Sequence, residues 1–303
     1  MAVRGSRILE CVILSEAGSS LRTMAGFEHH TRPVHPALRP YVGDLSGYAY
    51  AGDPPQLHRG LPSRHLTLVI TLDDPLGVAW PGGPVEKYDA LVGGLHSTAI
   101  HIGTTPSRSG VQLSLTPAAA RVLLGLPPSE LASTVVGLDE VLGRSARVLT
   151  EQLRETPTWD ERMDLLESMF LERWSAGTPD GVRPEVGWAW QRLRETGGEI
   201  AVQQLANEIG WSRRHLTDRF TTEFGLAPKV AARVMRFERA VGRLRREPTI
   251  RLADLAARFG YADQAHLTRE WQAIAGCSPR QWMVEELPNV QDFVPEWAPE
   301  LEV

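Results

Sequence analysis

The chain predicts an α+β fold: an N-terminal β-rich domain with trailing helices, then an all-α domain of two helix-turn-helix units joined by one long helix. Three observations predict it. Between residues 24 and 115, short apolar runs alternate with Pro- and Gly-rich breaks, as in an antiparallel sheet or small barrel. From Thr116 onward, apolar residues recur at spacings of three and four, the period of a helix with one buried face. The stretch GWSRRHLTDRF at 210–220 returns as GYADQAHLTREW at 260–271, with one residue added.

At 303 residues the chain is long enough for two domains, each with its own core. Hydrophobic residues make up 42% and charged residues 23%, which excludes a disordered chain and a membrane protein as expectations. No apolar run reaches the length of a bilayer span. Glu10 interrupts the short apolar stretch at the N-terminus and no small-residue cleavage site follows, so no secretory signal is expected. Cys11 and Cys277 are too few for a disulfide framework or a multi-Cys zinc site, as suits a cytoplasmic, reduced protein. Residues 1–23 show no clear period and are set apart as an N-terminal extension of uncertain standing, with Met24 an alternative start.

Within 24–175, strands are expected at 66–72, 77–80, 90–95, 99–105 and 110–115, and a helical segment at 116–175. Its last helix carries the stripe Met163, Leu166, Met169, Phe170 and Trp174, read as core or dimer packing. Residues 176–183, with Gly and Pro and no apolar period, form the expected linker. Residues 184–285 then read as helices, and 286–303 as an acidic tail, ordered only if Phe293 and Trp297 dock.

Two helix-turn-helix units fall at 202–223 and 250–273. In the first, Val202, Leu205, Ala206 and Ile209 share a face, Gly210 permits the turn, Ser212 caps the next helix, and Leu216 and Phe220 share its inner face. The second repeats the grammar with Leu252, Leu255, Ala256, Phe259, Gly260, the cap Asp263, Leu267 and Trp271. Ala206 and Ala256 allow close helix crossing. Ala206 to Ala256 and Gly210 to Gly260 are fifty positions apart, Leu216 to Leu267 and Pro228 to Pro279 fifty-one, so the extra residue lies in the turn. One such pair would also fit an ordinary helical hairpin; two matched copies make coincidence improbable. Between them, 228–247 reads as one helix that spaces the units.

The net charge is −5, yet residues 184–285 hold sixteen Arg and Lys against twelve Asp and Glu. The region of the repeat is therefore basic, as nucleic-acid binding requires, although charge alone fits a solvated helical surface equally well. Residues 184–285 resemble the DNA-binding domain of the AraC/XylS family of bacterial transcription regulators, through SRRHLTDRF and FGLAPKVAARVMRFERA in the first unit and IRLADLAARFGYADQAHLTREWQAIAGCSPRQW in the second. The resemblance covers about a third of the chain. It implies a cytoplasmic, nucleoid-associated, sequence-specific regulator of transcription whose partners are a double-stranded DNA operator and RNA polymerase. It also implies an N-terminal effector-binding or dimerisation domain that responds to a small molecule or a partner; a small-molecule pocket would be lined by Trp80, Tyr88 and apolar strand residues, and a homodimer through 116–175 is a separate hypothesis. The N-terminal part shares only the general layout.

If Leu216 and Phe220 face inward, Arg213, Arg214, Thr217 and Asp218 face outward, where base edges are read; in the second unit the set is Gln264, Ala265, Thr268 and Arg269. Asp218 departs from the family's usual basic or neutral polar residue; either it pairs locally with Arg214 at i−4 or it accepts from a cytosine amino group. His215 and His266 are expected to pack rather than read. Arg233, Arg236, Arg243, Arg245 and Arg246 are the candidates for phosphate contact. Seven of the nine histidines precede residue 102, but no spacing repeats a ligand motif, so no metal and no cofactor are expected. No catalytic constellation is found. A fused DNA-repair alkyl transferase would need more cysteines. The rival reading is a nonspecific nucleoid-associated protein.

Overall fold

A computed structural model describes residues 11–14, 20–24, 27–52, 58–177 and 181–290. Among the described residues, twelve strands precede the main helices: β1 (Cys11–Leu14), β2 (Ser20–Met24), β3 (Phe27–Thr31), β4 (Val42–Ala51), β5 (His58–Gly60), β6 (Leu66–Thr71), β7 (Leu76–Ala79), β8 (Glu86–Tyr88), β9 (Ala90–Gly93), β10 (Ile100–Ile102), β11 (Ser107–Leu115) and β12 (Val135–Gly137). They form an eight-stranded sheet ordered β1-β2-β3-β4-β11-β6-β9-β12 and a four-stranded sheet ordered β5-β10-β7-β8. The pairings are antiparallel throughout. Side-chain alternation along β6 divides the packing: Leu66, Leu68 and Ile70 enter the main core, while Val69 joins Leu76, Val78, Leu91 and Ile100 in a smaller core.

All five expected strands are present, with ends shifted by up to three residues. The long strand β4 was hidden because VGDLSGYAYA mixes Gly, Ser and Asp with its apolar residues. Residues 116–175 are less uniformly helical than their spacing suggests. Helix α1 (Pro117–Ala119) runs into a wider turn at Ala120–Leu124, a 3-10 turn follows at Pro128–Leu131, and Val135–Val136, within the apparent helical run, extends the large sheet through β9. Two β-branched residues in a row favour that extended state. Helices α2 (Leu138–Leu142), α3 (Arg144–Glu155) and α4 (Trp159–Ser175) complete the region. The stripe on α4 belongs to the protein's own core through Met163, Leu166 and Phe170, whereas Trp174 is exposed.

The remaining helices are α5 (Pro184–Glu195), α6 (Val202–Glu208), α7 (Arg213–Phe224), α8 (Pro228–Arg246), α9 (Leu252–Arg258), α10 (Gln264–Ala275) and α11 (Pro279–Val290). Helix α11 runs through residue 286, where the acidic tail was expected to start, and buries Glu286 and Leu287. Phe293 and Trp297 lie outside the described residues. The first unit's Leu205, Ala206, Leu216 and Phe220 share one core cluster with β6, β11 and α4, and α8 contributes Ala231, Ala232 and Met235 to it. The second unit has its own core, in which Phe237, Val241 and Leu244 of α8 meet Leu255, Leu267, Trp271 and Trp282. Helix α8 therefore leaves one core and enters the other between Met235 and Phe237.

Candidate nucleic-acid interface

Each unit is built by the same local bonds. Leu205, Ala206, Leu216 and Phe220 are completely buried in the first, as are Leu255, Leu267 and Trp271 in the second, where Ala256 is 1% exposed. The turn glycines Gly210 and Gly260 adopt φ of 71° and 68°, where a Cβ would be strained. Trp211 N–H donates to Ala206 O at 2.9 Å, and Tyr261 N–H to Ala256 O at 3.0 Å. The caps are those expected: Ser212 Oγ accepts from His215 N at 3.2 Å and Asp263 Oδ1 from His266 N at 2.6 Å. Four residues separate α6 from α7 and five separate α9 from α10, so the extra residue does lie in the turn. Replacing Ser212 or Asp263 by alanine is expected to cost about 1 kcal/mol each in denaturant unfolding.

The outward edges of α7 and α10 are open. Arg213, Arg214 and Asp218 are exposed and Thr217 is half-buried; Gln264, Ala265 and Arg269 are exposed and Thr268 is half-buried. Thr217 and Thr268 each donate their hydroxyl to the carbonyl four residues back, at 2.9 Å, and so hold matching rotamers. Arg214 Nε lies 3.9 Å from Asp218 Oδ2, and both side chains are well exposed, so the pair is weak and free to rearrange. His266 sits edge-on to Tyr261 and accepts through Nδ1 from Ala262 N at 3.2 Å. His215 is exposed, with its ring 4.5 Å from that of Trp211.

The five arginines expected at phosphates go to different places. Arg233 makes a two-bond pair with Glu270, Nε to Oε2 at 2.7 Å and Nη2 to Oε1 at 3.1 Å, which fastens α8 to α10. Arg236 donates to Gly260 O at 3.1 Å and lies over the Tyr261 ring. Arg243 pairs with Glu247. Arg246 is exposed. Arg245, also expected at phosphate, has its guanidinium lying inward over Trp282, where burial pulls its pKa down to about 10 against the opposing pull of Glu286 and Glu238.

That inward cluster belongs to a contact between the β-rich part and the second unit, and no periodicity in the sequence announces it. Glu286, 1% exposed, accepts from Arg59 N at 2.9 Å and lies 2.9 Å from His58 Nδ1. Arg59 Nη1 reaches Glu285 at 2.6 Å. Arg64 N donates to Glu238 of α8 at 3.2 Å, and Ala99 N to Ile274 O at 2.6 Å. The first unit is tied separately, by Arg121 to Glu223 at 2.8 and 2.7 Å.

In the β-rich part, Trp80 and Tyr88 both pack on the small core between the sheets; Trp80 sits edge-on to His96, and Tyr88 bonds Glu86 and Val135 O. Among the described residues no group of three His, Cys, Asp or Glu is placed to hold a metal, and no helix is long and apolar enough to cross a membrane.

A family model described as a helix-turn-helix domain matches residues 205–284. No curated protein matches the chain. Among solved structures, ToxT from Vibrio cholerae O395 is similar at 8% identity and a TM-score of 0.46, over 80% of this chain and 97% of that one. The unsaturated fatty acid-bound ToxT from Vibrio cholerae strain SCE256 gives 10% identity and 0.46, over 84% and 97%. The C-terminal domain of AraT, a response regulator from Geobacillus stearothermophilus, gives 19% identity and 0.33, over 40% and 96%.

Proposed function

We propose, from the premise that residues 205–284 are an AraC-type helix-turn-helix domain, that the chain is a sequence-specific regulator of transcription acting on DNA in the cytoplasm. Helices α7 and α10 are the two readers. The observation that supports this best is the pairing of matched scaffolds with unmatched outward residues: Arg213, Arg214 and Asp218 on one, Gln264, Ala265 and Arg269 on the other, all exposed. A scaffold serving nonspecific binding has no need of two different reading edges. Helix α8, at nineteen residues, spans about 28 Å, commensurate with the ~34 Å between successive major-groove segments on one face of a duplex. Arginine at 213, 214 and 269 suits guanine, Gln264 adenine, and the threonine methyls thymine. Asp218 suits a cytosine amino group.

The β-rich part, 24–175, is the regulatory domain in this reading, responding to a small molecule or a partner through the region of Trp80 and Tyr88. Dimerisation uses the outer side of α3 and α4, where Val148 and Trp174 are exposed; a monomeric mass at micromolar concentration by light scattering counts against it.

Selection of bound duplexes from a random pool, followed by fluorescence anisotropy on the selected and scrambled sequences, tests the function. The expected preference is about 10³-fold or more at physiological salt. Similar affinity for every sequence, with one steep salt slope, establishes the nonspecific alternative instead. Arg269→Ala is expected to cost about 1–3 kcal/mol on the selected duplex and to relax the choice at one base pair. Equal losses on selected and scrambled duplexes would remove Arg269 from the reading edge.

A further inference from the structure

The two readers are attached to the β-rich part in different ways. The first shares its hydrophobic core, whereas the second has a separate core. The second unit joins the rest through α8, which carries Gly242 inside its second-core half, and through the contact made by residues 58–64 and Ala99, polar except for Leu61 on the second core. Along α8 itself the second unit is held by the pair Arg233–Glu270 and by Arg236 on Gly260 O, and Gly242 is a position where a helix can bend.

We propose that His58–Arg64 is a clamp that sets the alignment of the second reader with the first, so that closing it makes a two-site reader and releasing it leaves two loosely coupled one-site readers. The clamp grips the second unit at two elements. Arg59, 8% exposed, bonds Glu286 and Glu285 of α11, and Arg64 bonds Glu238 of α8, the helix that spans both cores. Leu61 packs on the second core between these two grips. Meanwhile the pair Arg121–Glu223 holds the end of α7 to the β-rich part, so both readers are referred to one frame. The clamp covers neither reading edge, since Arg213, Arg214, Gln264 and Arg269 stay exposed with it closed. The closed state is therefore the one that binds DNA through both units, and its benefit is the raised effective concentration of the second reader once the first has bound.

This inference rests on the DNA-reading function proposed above, and its test uses the full chain with changes in the β-rich part alone. Arg59→Glu sets a carboxylate against Glu285 and Glu286. It is expected to weaken binding to a selected duplex with both half-sites by about tenfold and to leave binding to a duplex with the second half-site scrambled within twofold. Arg59→Lys is expected to retain most of the two-site affinity. Arg121→Glu should show the same selective loss, and the swap Arg121→Glu with Glu223→Arg should recover it, which separates alignment from misfolding. Equal losses on both duplexes, or none on either, overturn the clamp. Hydrogen exchange supplies a readout without DNA: the Ala99 amide, bonded to Ile274 O, is expected to exchange at least tenfold faster in Arg59→Glu than in the parent, and unchanged protection also overturns it. If the parent protein shows no preference among duplexes, the function proposed above fails, and the exchange measurement still decides the clamp.

Discussion

Trp271→Ala is expected to destabilise the second unit by about 3–5 kcal/mol and to abolish recognition of its half of the DNA site. Trp271 is completely buried, with its ring 4.9 Å from that of Phe237 and 5.6 Å from that of Trp282, so it joins α8, α10 and α11. Because that core is separate from the one holding the first unit, the loss stays local. Hydrogen exchange should accelerate across α9–α11 while α6 and α7 keep their protection. Exchange that speeds equally in all of them would show that the two cores unfold as one. Trp271→Phe provides the contrast. Among the described residues the indole Nε1 has no hydrogen-bond partner, so phenylalanine removes volume and an unpaired buried N–H together and costs less than alanine.

The second large effect is expected from Gly198→Ala, in the turn between α5 and α6. Gly198 adopts φ of 78°, and a Cβ there would lie 2.1 Å from Ala232 O and 2.8 Å from Ala232 C, both in the backbone of α8. The left-handed conformation and the forced displacement of α8 together cost about 2–4 kcal/mol. The midpoint of urea unfolding should fall accordingly. Gly52→Ala is the control, since nothing lies within 4 Å of a Cβ there, and it is expected to stay within about 0.5 kcal/mol of the parent. An equally small effect of Gly198→Ala would mean that the turn moves away from α8 without strain.

The sequence was most legible where the determinants are local. Ser212 and Asp263 act three residues ahead, Gly210 and Gly260 act where they stand, and Leu216 with Phe220 are one turn apart. The pairs α6–α7, at 202–224, and α9–α10, at 252–275, therefore lie where the spacing puts the two units, 202–223 and 250–273. Legibility declined where an element's state depends on a distant partner. Val135–Gly137 is extended because β9, more than forty residues earlier, offers an edge to pair with. Glu286 looked like the start of a solvated acidic tail because the groups that bury it, His58 and Arg59, lie 228 and 227 positions away.

The same division runs through the candidate site. The amino-acid sequence by itself determined that there are two helix-turn-helix units, where each begins and turns, and which side chains of α7 and α10 face outward, since each follows from bonds and spacings within about twenty residues. The tertiary structure alone decided where the arginines of α8 are used. Arg233, Arg236, Arg243 and Arg245 have the same chemistry and sit on the same helix, yet one fastens α10, one holds a turn, one pairs along the helix, and one turns inward over Trp282. A guanidinium on a flexible stem takes whichever carboxylate, carbonyl or ring the fold brings near, and that choice is made by packing across long sequence separations, not by helical period.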